Sequence, residues 1–443
     1  MKTKLLKNYQ EVLMALILFC LLFFATSIFA QHQIGHTQIT FQDPARGNRN
    51  IQTEIYYPGS TSGDDVSMVA GDFPVIVFGH GFVMAWDAYQ NLWEEFVPRG
   101  YIMVFPRTEG SIVSTNHQEF GWDLQFLVTA MQNEGTTPSS IFFNGVASET
   151  ALMGHSMGGG ASFLAADSLC TNSNSNLKTL IGLAPAESTT NGVSSINSAL
   201  SITVPSVVLS GSSDGVTPPV DHHIPMYDNL ASNCKTFINV LGGAHCYFAN
   251  PNTNCDFGES TSSSGISITR EEQHDITFDF LNLWLDYTLK GDCDAFSEFN
   301  DSLQTSIRVD FNQACILNPV PVIVENSGDL TSSEMGVSYQ WFLDGNPIPS
   351  SNSQTITPTQ DGDYIVEVTY ANGCPETSAP FTVTLTSINN YILKDFKIYP
   401  NPATNQIRIE GHNIQLNNMQ IYNSFGQIIN DIERTDNIID VSK

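Results

Sequence analysis

Short, mainly apolar runs recur along the first two thirds of the chain and predict buried strands. Four of them cover residues 73–78, 150–153, 204–210 and 235–241, and each leads into a segment rich in glycine or polar residues. Runs of this length bounded by turn signals are consistent with strands covered on both faces. The sequence therefore predicts that the candidate catalytic residues lie in the segments that follow these strands.

The second run ends in Gly154-His-Ser156-Met-Gly158, and helix-forming residues follow it. A serine on a sharp strand-to-helix turn takes a strained backbone conformation, and glycines without a Cβ let the chain pack closely around it. Amides at the start of the helix favour negative charge that develops at the same place. The pattern predicts a nucleophile elbow with Ser156 as nucleophile; the alternative is a glycine-rich turn without a reactive role.

The third and fourth runs supply the partners that a serine nucleophile needs. Asp214 follows the third run, and His245 follows the fourth on a glycine-rich loop. The order serine, aspartate, histidine is the order in which an α/β-hydrolase brings three loops to one edge of its sheet. We therefore predict Asp214 as the acid that orients the base, His245. Asp221 and Asp228 are rival acids, but neither directly follows a strand.

The first run leads into Gly79-His-Gly-Phe82, which we predict to be an oxyanion loop. The backbone amides of Phe82 and Met157 are placed to bind the oxygen of a tetrahedral intermediate. In other enzymes, the loss of one such donor reduces transition-state stabilisation by about 2.7–4 kcal/mol. Phe82, Trp86 and Met157 are the candidates for substrate contact, with Trp86 lining an acyl pocket.

His222 and His223 stand beside Asp221 and raise the alternative of a metal site. Adjacent residues on a helix point about 100° apart, so two neighbouring histidines rarely bind one ion. We therefore expect surface or lid histidines and no metal site.

Four motifs in the same order carry a family resemblance: HGF at 80–82, GHSMGG at 154–159, DGVTP at 214–218 and GGAH at 242–245. From about residue 37 to 290, the chain resembles the dienelactone hydrolase, chlorophyllase and cutinase-like branch of the α/β-hydrolases, which includes bacterial polyester hydrolases. The resemblance implies an α/β-hydrolase fold with a mostly parallel eight-stranded sheet. It also implies a serine esterase that needs no cofactor.

The chain departs from polyester hydrolases at two positions. Ala184-Pro-Ala-Glu187-Ser188 lacks the tryptophan with which those enzymes hold an aromatic ring, and Ser212 and Ser213 stand where they have a cysteine before the acid. The substrate is therefore either a polyester or a small neutral ester. Whether residues 253–270 form a lid is left open.

The chain of 443 residues is longer than one hydrolase domain, so two or three units are expected. Three lysines precede an apolar run at 12–24, and Ala30 ends the segment. This predicts a secretory signal peptide over residues 1–30 and no membrane-spanning segment once it is removed. The catalytic domain is expected over 31–305.

Export places the seven cysteines that follow the signal peptide in an oxidising compartment. We predict a bridge between Cys246 and Cys255, which would hold the backbone of the neighbouring His245, and a second bridge between Cys315 and Cys374. The pairing of the other three is left open; they are Cys170, Cys234 and Cys293. Spacing alone does not determine connectivity.

Two β-rich segments follow the predicted catalytic domain. Residues 310–388 alternate apolar and polar positions between Pro, Asn and Ser turns and predict a small β-sandwich, which resembles the immunoglobulin-like modules of secreted Bacteroidetes proteins. Its role is either to anchor substrate or to act as a stalk.

The segment 393–443, with Tyr399-Pro-Asn-Pro402, resembles the C-terminal sorting domain of the type IX secretion system. The resemblance implies a partner in the type IX secretion machinery and a secreted or surface-bound protein. The chain stops at Lys443 without the last strand usual in such domains, so we expect a truncated end.

The formal net charge of −28 argues against nucleic acid as a partner and favours neutral ester substrates. We expect a monomer without cofactor or metal. The sequence thus predicts a secreted carboxylic ester hydrolase that works through an acyl-enzyme. The alternatives are a peptidase or acyltransferase of the same fold and a non-catalytic surface binding protein on a hydrolase scaffold.

Overall fold

The computed structural model describes most of the chain. The described residues are 31–385, 397–410, 420–422, 425–429, 434–435 and 437–442. The predicted signal peptide at 1–30 lies outside them. The described chain divides into two units, of which the first holds the residues up to Val320 together with Val368–Glu376.

A mixed sheet of ten strands lies at the centre of the described part of the first unit. Its strands are β1 (Gln33–Asp43), β2 (Arg49–Gly59), β3 (Gly63–Asp64), β4 (Phe73–Gly79), β5 (Ile102–Pro106), β6 (Val146–His155), β7 (Leu177–Leu183), β8 (Ser206–Gly211), β9 (Cys234–Val240) and β10 (Val309–Cys315). Their order is β10-β9-β8-β7-β6-β4-β5-β2-β1-β3. The six strands from β9 to β5 are mutually parallel. The resemblance implies eight strands, and the two additional ones are the short β3 and the last strand, β10.

Helices cover both faces of this sheet. They are α1 (Gln90–Phe96), α2 (His117–Thr136), α3 (Met157–Thr171), α4 (Ser195–Ser198), α5 (His223–Asn229), α6 (Thr253–Ser262), α7 (Arg270–Lys290) and α8 (Cys293–Thr305). Val75 and Val77 of β4 belong to a buried cluster with α2 and α3, whereas Ile76 and Phe78 belong to a second cluster with α1 and α7. Because side chains alternate across a strand, a strand covered on both faces is apolar throughout, and this produces the run at 73–78.

The predicted bridge between Cys315 and Cys374 is wrong. Cys315 is bonded to Cys234 instead. The reason is that Val309–Cys315 is not a strand of the β-rich segment but pairs antiparallel with β9, and this register places Cys315 opposite Cys234. The alternating pattern near residue 310 belongs to the large sheet, which extends past the boundary expected from the sequence.

Two further disulfides are present in the described chain. Cys374 is bonded to Cys293 at the start of α8, and Cys246 is bonded to Cys255, as the sequence predicts. Cys170 is half-buried and has no disulfide partner in the described part of the chain.

The chain after residue 320 is rich in β-strands. They are β11 (Ile323–Asn326), β12 (Asp329–Ser332), β13 (Ser338–Leu343), β14 (Asn346–Pro347), β15 (Thr355–Ile356), β16 (Gly362–Thr369), β17 (Pro375–Thr377) and β18 (Phe381–Val383). One sheet has the order β11-β12-β15; the other has the order β14-β13-β16-β17, with β18 also paired to β16. Trp341 and Tyr364 are buried. The immunoglobulin-like topology stays a prediction.

The tail forms a small sheet in its described residues. The strands are β19 (Lys397–Tyr399), β20 (Gln406–Glu410), β21 (Arg434–Thr435) and β22 (Ile438–Asp440), in the order β19-β20-β22-β21. Across the described residues, no helix combines the length and the apolar character that a membrane span requires.

Candidate active site

Four parallel strands end at the same edge of the large sheet, and a predicted site residue follows each of them. Phe82 follows β4, Ser156 follows β6, Asp214 follows β8 and His245 follows β9. The carboxyl edge of a parallel sheet is where α/β proteins bind ligands.

Ser156 takes the strained conformation that a nucleophile elbow requires. Its φ of 55° and ψ of −122° lie outside the regions that residues with a Cβ usually adopt. Hydrogen bonds hold this conformation, because the Ser156 amide donates to the Leu183 carbonyl (3.0 Å) and its carbonyl accepts from the Ala186 amide (2.7 Å). The serine is thus fixed between β6 and α3.

The glycines around Ser156 permit close backbone packing. A Cβ on Gly158 would lie 2.1 Å from the carbonyl of Gly79, and a Cβ on Gly154 would lie 2.3 Å from the Gly158 oxygen. No side chain fits at either position, so the start of α3 packs directly on the end of β4. This contact brings the elbow beside the loop that carries Phe82.

The predicted acid and base are in contact. Asp214 Oδ2 lies 2.7 Å from His245 Nδ1, and both side chains are buried. Asp214 Oδ1 accepts from the amides of Val216 (2.9 Å) and Thr217 (2.8 Å). Burial alone would raise the pKa of Asp214, but His245 and the hydrogen bonds outweigh burial and lower this pKa below its usual value. The aspartate is therefore a stable carboxylate beside the imidazole.

Thr217 is a member of this cluster that sequence analysis missed. Its Oγ1 lies 3.0 Å from Asp214 Oδ2, 2.8 Å from His245 Nδ1 and 3.0 Å from His223 Nε2. The only sequence signal is a hydroxyl three residues after an acid, which is common in loops.

His223 is the second residue that the sequence did not assign to the site. The expectation of a surface or lid position is wrong for it, because the ring is fully buried and its Nδ1 lies 2.8 Å from Ser210 Oγ. Burial lowers the pKa of His223 to about 3, so the ring is neutral. The neighbouring His222 is half-buried and accepts the amide hydrogen of Glu187. The rival acids Asp221 and Asp228 are exposed.

The elbow and the histidine loop meet through His155, the residue before Ser156. Its Nε2 lies 3.0 Å from the His245 carbonyl oxygen, and the two imidazole centroids are 4.8 Å apart. Within the described chain, Ser156 Oγ makes no hydrogen bond to His245. The predicted acid and base are therefore in direct contact, and the residue before Ser156 is hydrogen-bonded to the backbone of His245.

The backbone amides of Phe82 and Met157 are the predicted donors of the oxyanion hole. Met157 is the first residue of α3, so the helix does not use its amide hydrogen. Within the described residues, neither this amide nor that of Phe82 has a hydrogen-bond acceptor. Met157 is buried, whereas the side chain of Phe82 is 47% exposed.

Trp86 packs beside β2 and β5. Its Nε1 donates to Tyr56 Oη (3.2 Å), and the Arg107 guanidinium lies 4.3 Å from the centre of its ring. Within the described part of the chain, no hydrogen bond or ring contact joins Trp86 to Ser156, Asp214 or His245. Its role in an acyl pocket stays a prediction.

Residues 253–270, for which the sequence does not decide whether they form a lid, contain the helix α6. Hydrogen bonds fix this segment to three neighbouring loops. Asn254 Nδ2 donates to the carbonyl of Val83 (3.0 Å), beside Phe82. Glu259 is buried and accepts the amide hydrogen of Cys246 (2.5 Å), next to His245. Ser263 Oγ, just past the helix, accepts the amide hydrogen of Gly215 (2.8 Å). The helix therefore spans the edge of the site and is held there.

Among the described residues, no group of three or more His, Cys, Asp or Glu side chains is placed to hold a metal ion.

The tail matches the family described as the secretion system C-terminal sorting domain over residues 397–443. This agrees with the resemblance to type IX sorting domains. The protein is therefore exported and is either secreted or attached to the cell surface.

The first unit matches a family of enzymes. Residues 33–267 match the family described as PET hydrolase-like. The match begins at β1, includes all four loops at the carboxyl edge of the sheet and extends through α6. It spans more than half of the chain. The chain belongs to the PET hydrolase-like family of α/β-hydrolases.

Proposed function

We propose that this protein is a secreted serine esterase that hydrolyses neutral carboxylic esters, polyesters among them. The observation that carries the proposal is the buried 2.7 Å contact between Asp214 Oδ2 and His245 Nδ1 at the sheet edge that also carries the strained Ser156. Membership of a hydrolase family supports the reaction class, and the sorting domain supports export.

In the first half of the reaction, Ser156 Oγ attacks the ester carbonyl carbon. His245 Nε2 takes the hydroxyl proton, and Asp214 holds Nδ1–H toward itself and stabilises the imidazolium. The carbonyl oxygen becomes an oxyanion that accepts hydrogen bonds from the amides of Phe82 and Met157. The bond to the leaving oxygen then breaks, and His245 returns the proton to it.

In the second half, water hydrolyses the acyl-enzyme. His245 Nε2 takes a proton from water, and the resulting oxygen attacks the acyl carbon. The tetrahedral intermediate collapses and releases the carboxylic acid, while His245 Nε2 returns the proton to Ser156 Oγ. The missing bond between Ser156 and His245 is compatible with this cycle, since catalytic hydrogen bonds are often long until substrate binds.

Three features support an apolar, uncharged substrate. Phe82 of the oxyanion loop is 47% exposed, and Phe257 of α6 is 71% exposed. Asn254, one turn before Phe257, bonds to the loop that carries Phe82. The net charge of −28 disfavours anionic substrates.

Glu187 lies in the segment where polyester hydrolases carry a tryptophan. Its carboxylate accepts from Ser194 Oγ (2.6 Å) and from the Ile196 amide (2.8 Å). This position therefore provides no aromatic surface, and we expect the chain to act on aliphatic as well as aromatic esters.

The test is hydrolysis of p-nitrophenyl esters and of aliphatic and aromatic polyester films by the chain without its leader, compared with Ser156→Ala. We expect serine-dependent release from both the soluble esters and at least one film. Activity on soluble esters alone would remove polyesters from the proposal. A folded wild-type protein without esterase activity would favour the binding protein, and turnover of amides instead of esters would favour a peptidase.

A further inference from the structure

Three loops around the proposed site meet at a buried imidazole that the proposed mechanism does not use. His155 Nε2 lies 3.0 Å from the His245 carbonyl oxygen, and its Nδ1 lies 2.9 Å from Tyr89 Oη. The Gly81 amide donates to the same Tyr89 oxygen at 2.8 Å. Tyr89 and His155 are both fully buried. One chain of hydrogen bonds thus runs from the oxyanion loop through the elbow to the histidine loop.

The direction of every bond in this chain is determined. A carbonyl oxygen only accepts, so His155 Nε2 carries a hydrogen and donates to His245. Burial lowers the pKa of His155 well below its usual value, so the ring is neutral and its Nδ1 is unprotonated. Nδ1 therefore accepts from the Tyr89 hydroxyl, whose oxygen accepts from Gly81. Met84 Sδ, at 3.3 Å from Tyr89 Oη, is a weaker acceptor for the same hydrogen.

The orientation of the Phe82 amide depends on Gly81. The Gly81 carbonyl lies 2.9 Å from His80 Nδ1 and accepts from the Met84 amide at 3.1 Å. In a trans peptide the C=O and the following N–H point in opposite directions. The Gly81 carbonyl therefore points toward His80 and Met84, and the Phe82 N–H points away from them. Tyr89 fixes the preceding N–H, so the backbone is held on both sides of Gly81.

Close packing leaves Gly81 little freedom. A Cβ at this position would lie 2.7 Å from Met84 Sδ, 3.1 Å from Tyr89 Oη and 3.3 Å from His155 Nδ1. The oxyanion loop therefore lies directly against the hydroxyl and the imidazole.

We propose that Tyr89 is a positioning residue for the oxyanion hole, which acts through its hydroxyl on Gly81 and His155. This inference rests on the proposed esterase function and adds a residue to it. The hydroxyl sets the direction of the Phe82 amide relative to Ser156 and His245 before substrate binds. Because the oxyanion exists only in the transition state and the tetrahedral intermediate, this role affects kcat more than KM.

The test is Tyr89→Phe in the full chain without its leader. The substitution removes one oxygen and keeps the ring, which packs on Phe78 with centroids 4.6 Å apart. We expect kcat to fall about tenfold with KM unchanged, less than the loss of a whole oxyanion donor. Affinity for a boronic acid that mimics the tetrahedral intermediate should fall by the same factor.

Tyr57→Phe is the matched control. Tyr57 is fully buried in β2 and donates to the Val66 carbonyl at 2.6 Å, outside the proposed site. It should lose a similar amount of thermal stability while kcat and boronic acid affinity stay at wild-type values. His155→Leu interrupts the same chain without altering Tyr89 and provides a second variant should Tyr89→Phe not fold. We expect a similar fall in kcat with KM unchanged.

If the wild type is active and either Tyr89→Phe or His155→Leu leaves kcat and boronic acid affinity unchanged, this inference is overturned and the proposed function stands. Equal losses in Tyr57→Phe and Tyr89→Phe would also overturn it, since they would show a purely structural effect. A wild-type protein that hydrolyses no ester and does not label at Ser156 would overturn the proposed function, and this inference with it.

Discussion

His223 Nε2 lies 3.8 Å from Asp214 Oδ2, and Thr217 Oγ1 bonds to both groups. The Asp214 carboxylate is a charged acceptor at 3.0 Å from Thr217 Oγ1, nearer than the Ala184 carbonyl oxygen at 3.4 Å, so the hydroxyl hydrogen goes to Asp214. The threonine oxygen then accepts from His223 Nε2–H. His223 Nδ1 then accepts from Ser210 Oγ. Asp214 therefore contacts two imidazoles: His245 directly, and His223 through Thr217 Oγ1.

Thr217→Val should impair catalysis because it removes the hydroxyl that donates to Asp214 while it keeps the shape of the side chain. We expect kcat/KM for a soluble ester to fall about tenfold, as for loss of a hydrogen bond to a charged group. Thr217→Ser keeps the hydroxyl and should remain close to wild type. Equal activity of the valine and serine variants would show that the hydroxyl has no role.

His223 should make the protein less stable as the pH falls. Its pKa is about 3 when folded, against an unfolded value of 6.5, so between these limits the unfolded state binds the extra proton. The contribution to stability is complete above pH 6.5 and is lost progressively as the pH falls toward 3. Between pH 7 and 5 this loss amounts to about 2 kcal/mol.

Urea unfolding of the wild type and His223→Gln at pH 7 and pH 5 measures this contribution. The variant should lose about 2 kcal/mol less between the two pH values than the wild type does. His222→Gln, at a half-buried neighbour, is the control and should change the pH dependence less. Identical pH dependence in wild type and His223→Gln would rule out a neutral buried imidazole at this position.

The strands and their loops could be predicted because the signals are local. An apolar run followed by a glycine-rich turn predicts the position of Ser156, and the loops after two further apolar runs predict the positions of Asp214 and His245. Thr217 and His223 could not be found in this way, since their role depends on three loops that meet only in the folded chain. The partner of Cys315 cannot be predicted from the pattern, because an edge strand of the large sheet and a strand of a β-sandwich alternate in the same way.

The bridge between Cys246 and Cys255 should support both stability and catalysis. It closes a loop with a sequence separation of 9 directly after His245. Cys246→Ser with Cys255→Ser should lower the free energy of unfolding by about 2–3 kcal/mol. It should also lower kcat, because the backbone of His245 loses a support.

Cys170→Ser is the control for this substitution, because Cys170 forms no disulfide in the described chain. It should leave stability and kcat at wild-type values. A double variant with wild-type kcat would show that Glu259, which bonds to the Cys246 amide, is sufficient to hold the histidine loop.

Phe257 should matter for an insoluble substrate more than for a small one. The side chain is 71% exposed on α6, the helix whose Asn254 bonds to the loop that carries Phe82. Phe257→Ala should reduce release from a polyester film about tenfold or more, given about 1.5–3 kcal/mol for full burial of a large apolar side chain. Hydrolysis of p-nitrophenyl acetate should not change.

Leu200→Ala is the matched control for Phe257→Ala. Leu200 is 60% exposed and precedes β8, at the edge of the sheet opposite to the proposed site. It should affect neither substrate. A fall in film hydrolysis of equal size in both variants would indicate general surface adsorption and no specific contact at α6.

The most direct test of the central claim is covalent modification of Ser156. The wild-type chain is treated with a fluorophosphonate, and the modified peptide is identified by mass spectrometry, with Ser156→Ala and His245→Gln treated in parallel. We expect one adduct on Ser156 in the wild type, none in Ser156→Ala and much slower labelling in His245→Gln. A folded wild-type protein that remains unmodified, or labels on a different residue, would contradict the assignment of Ser156 as the nucleophile.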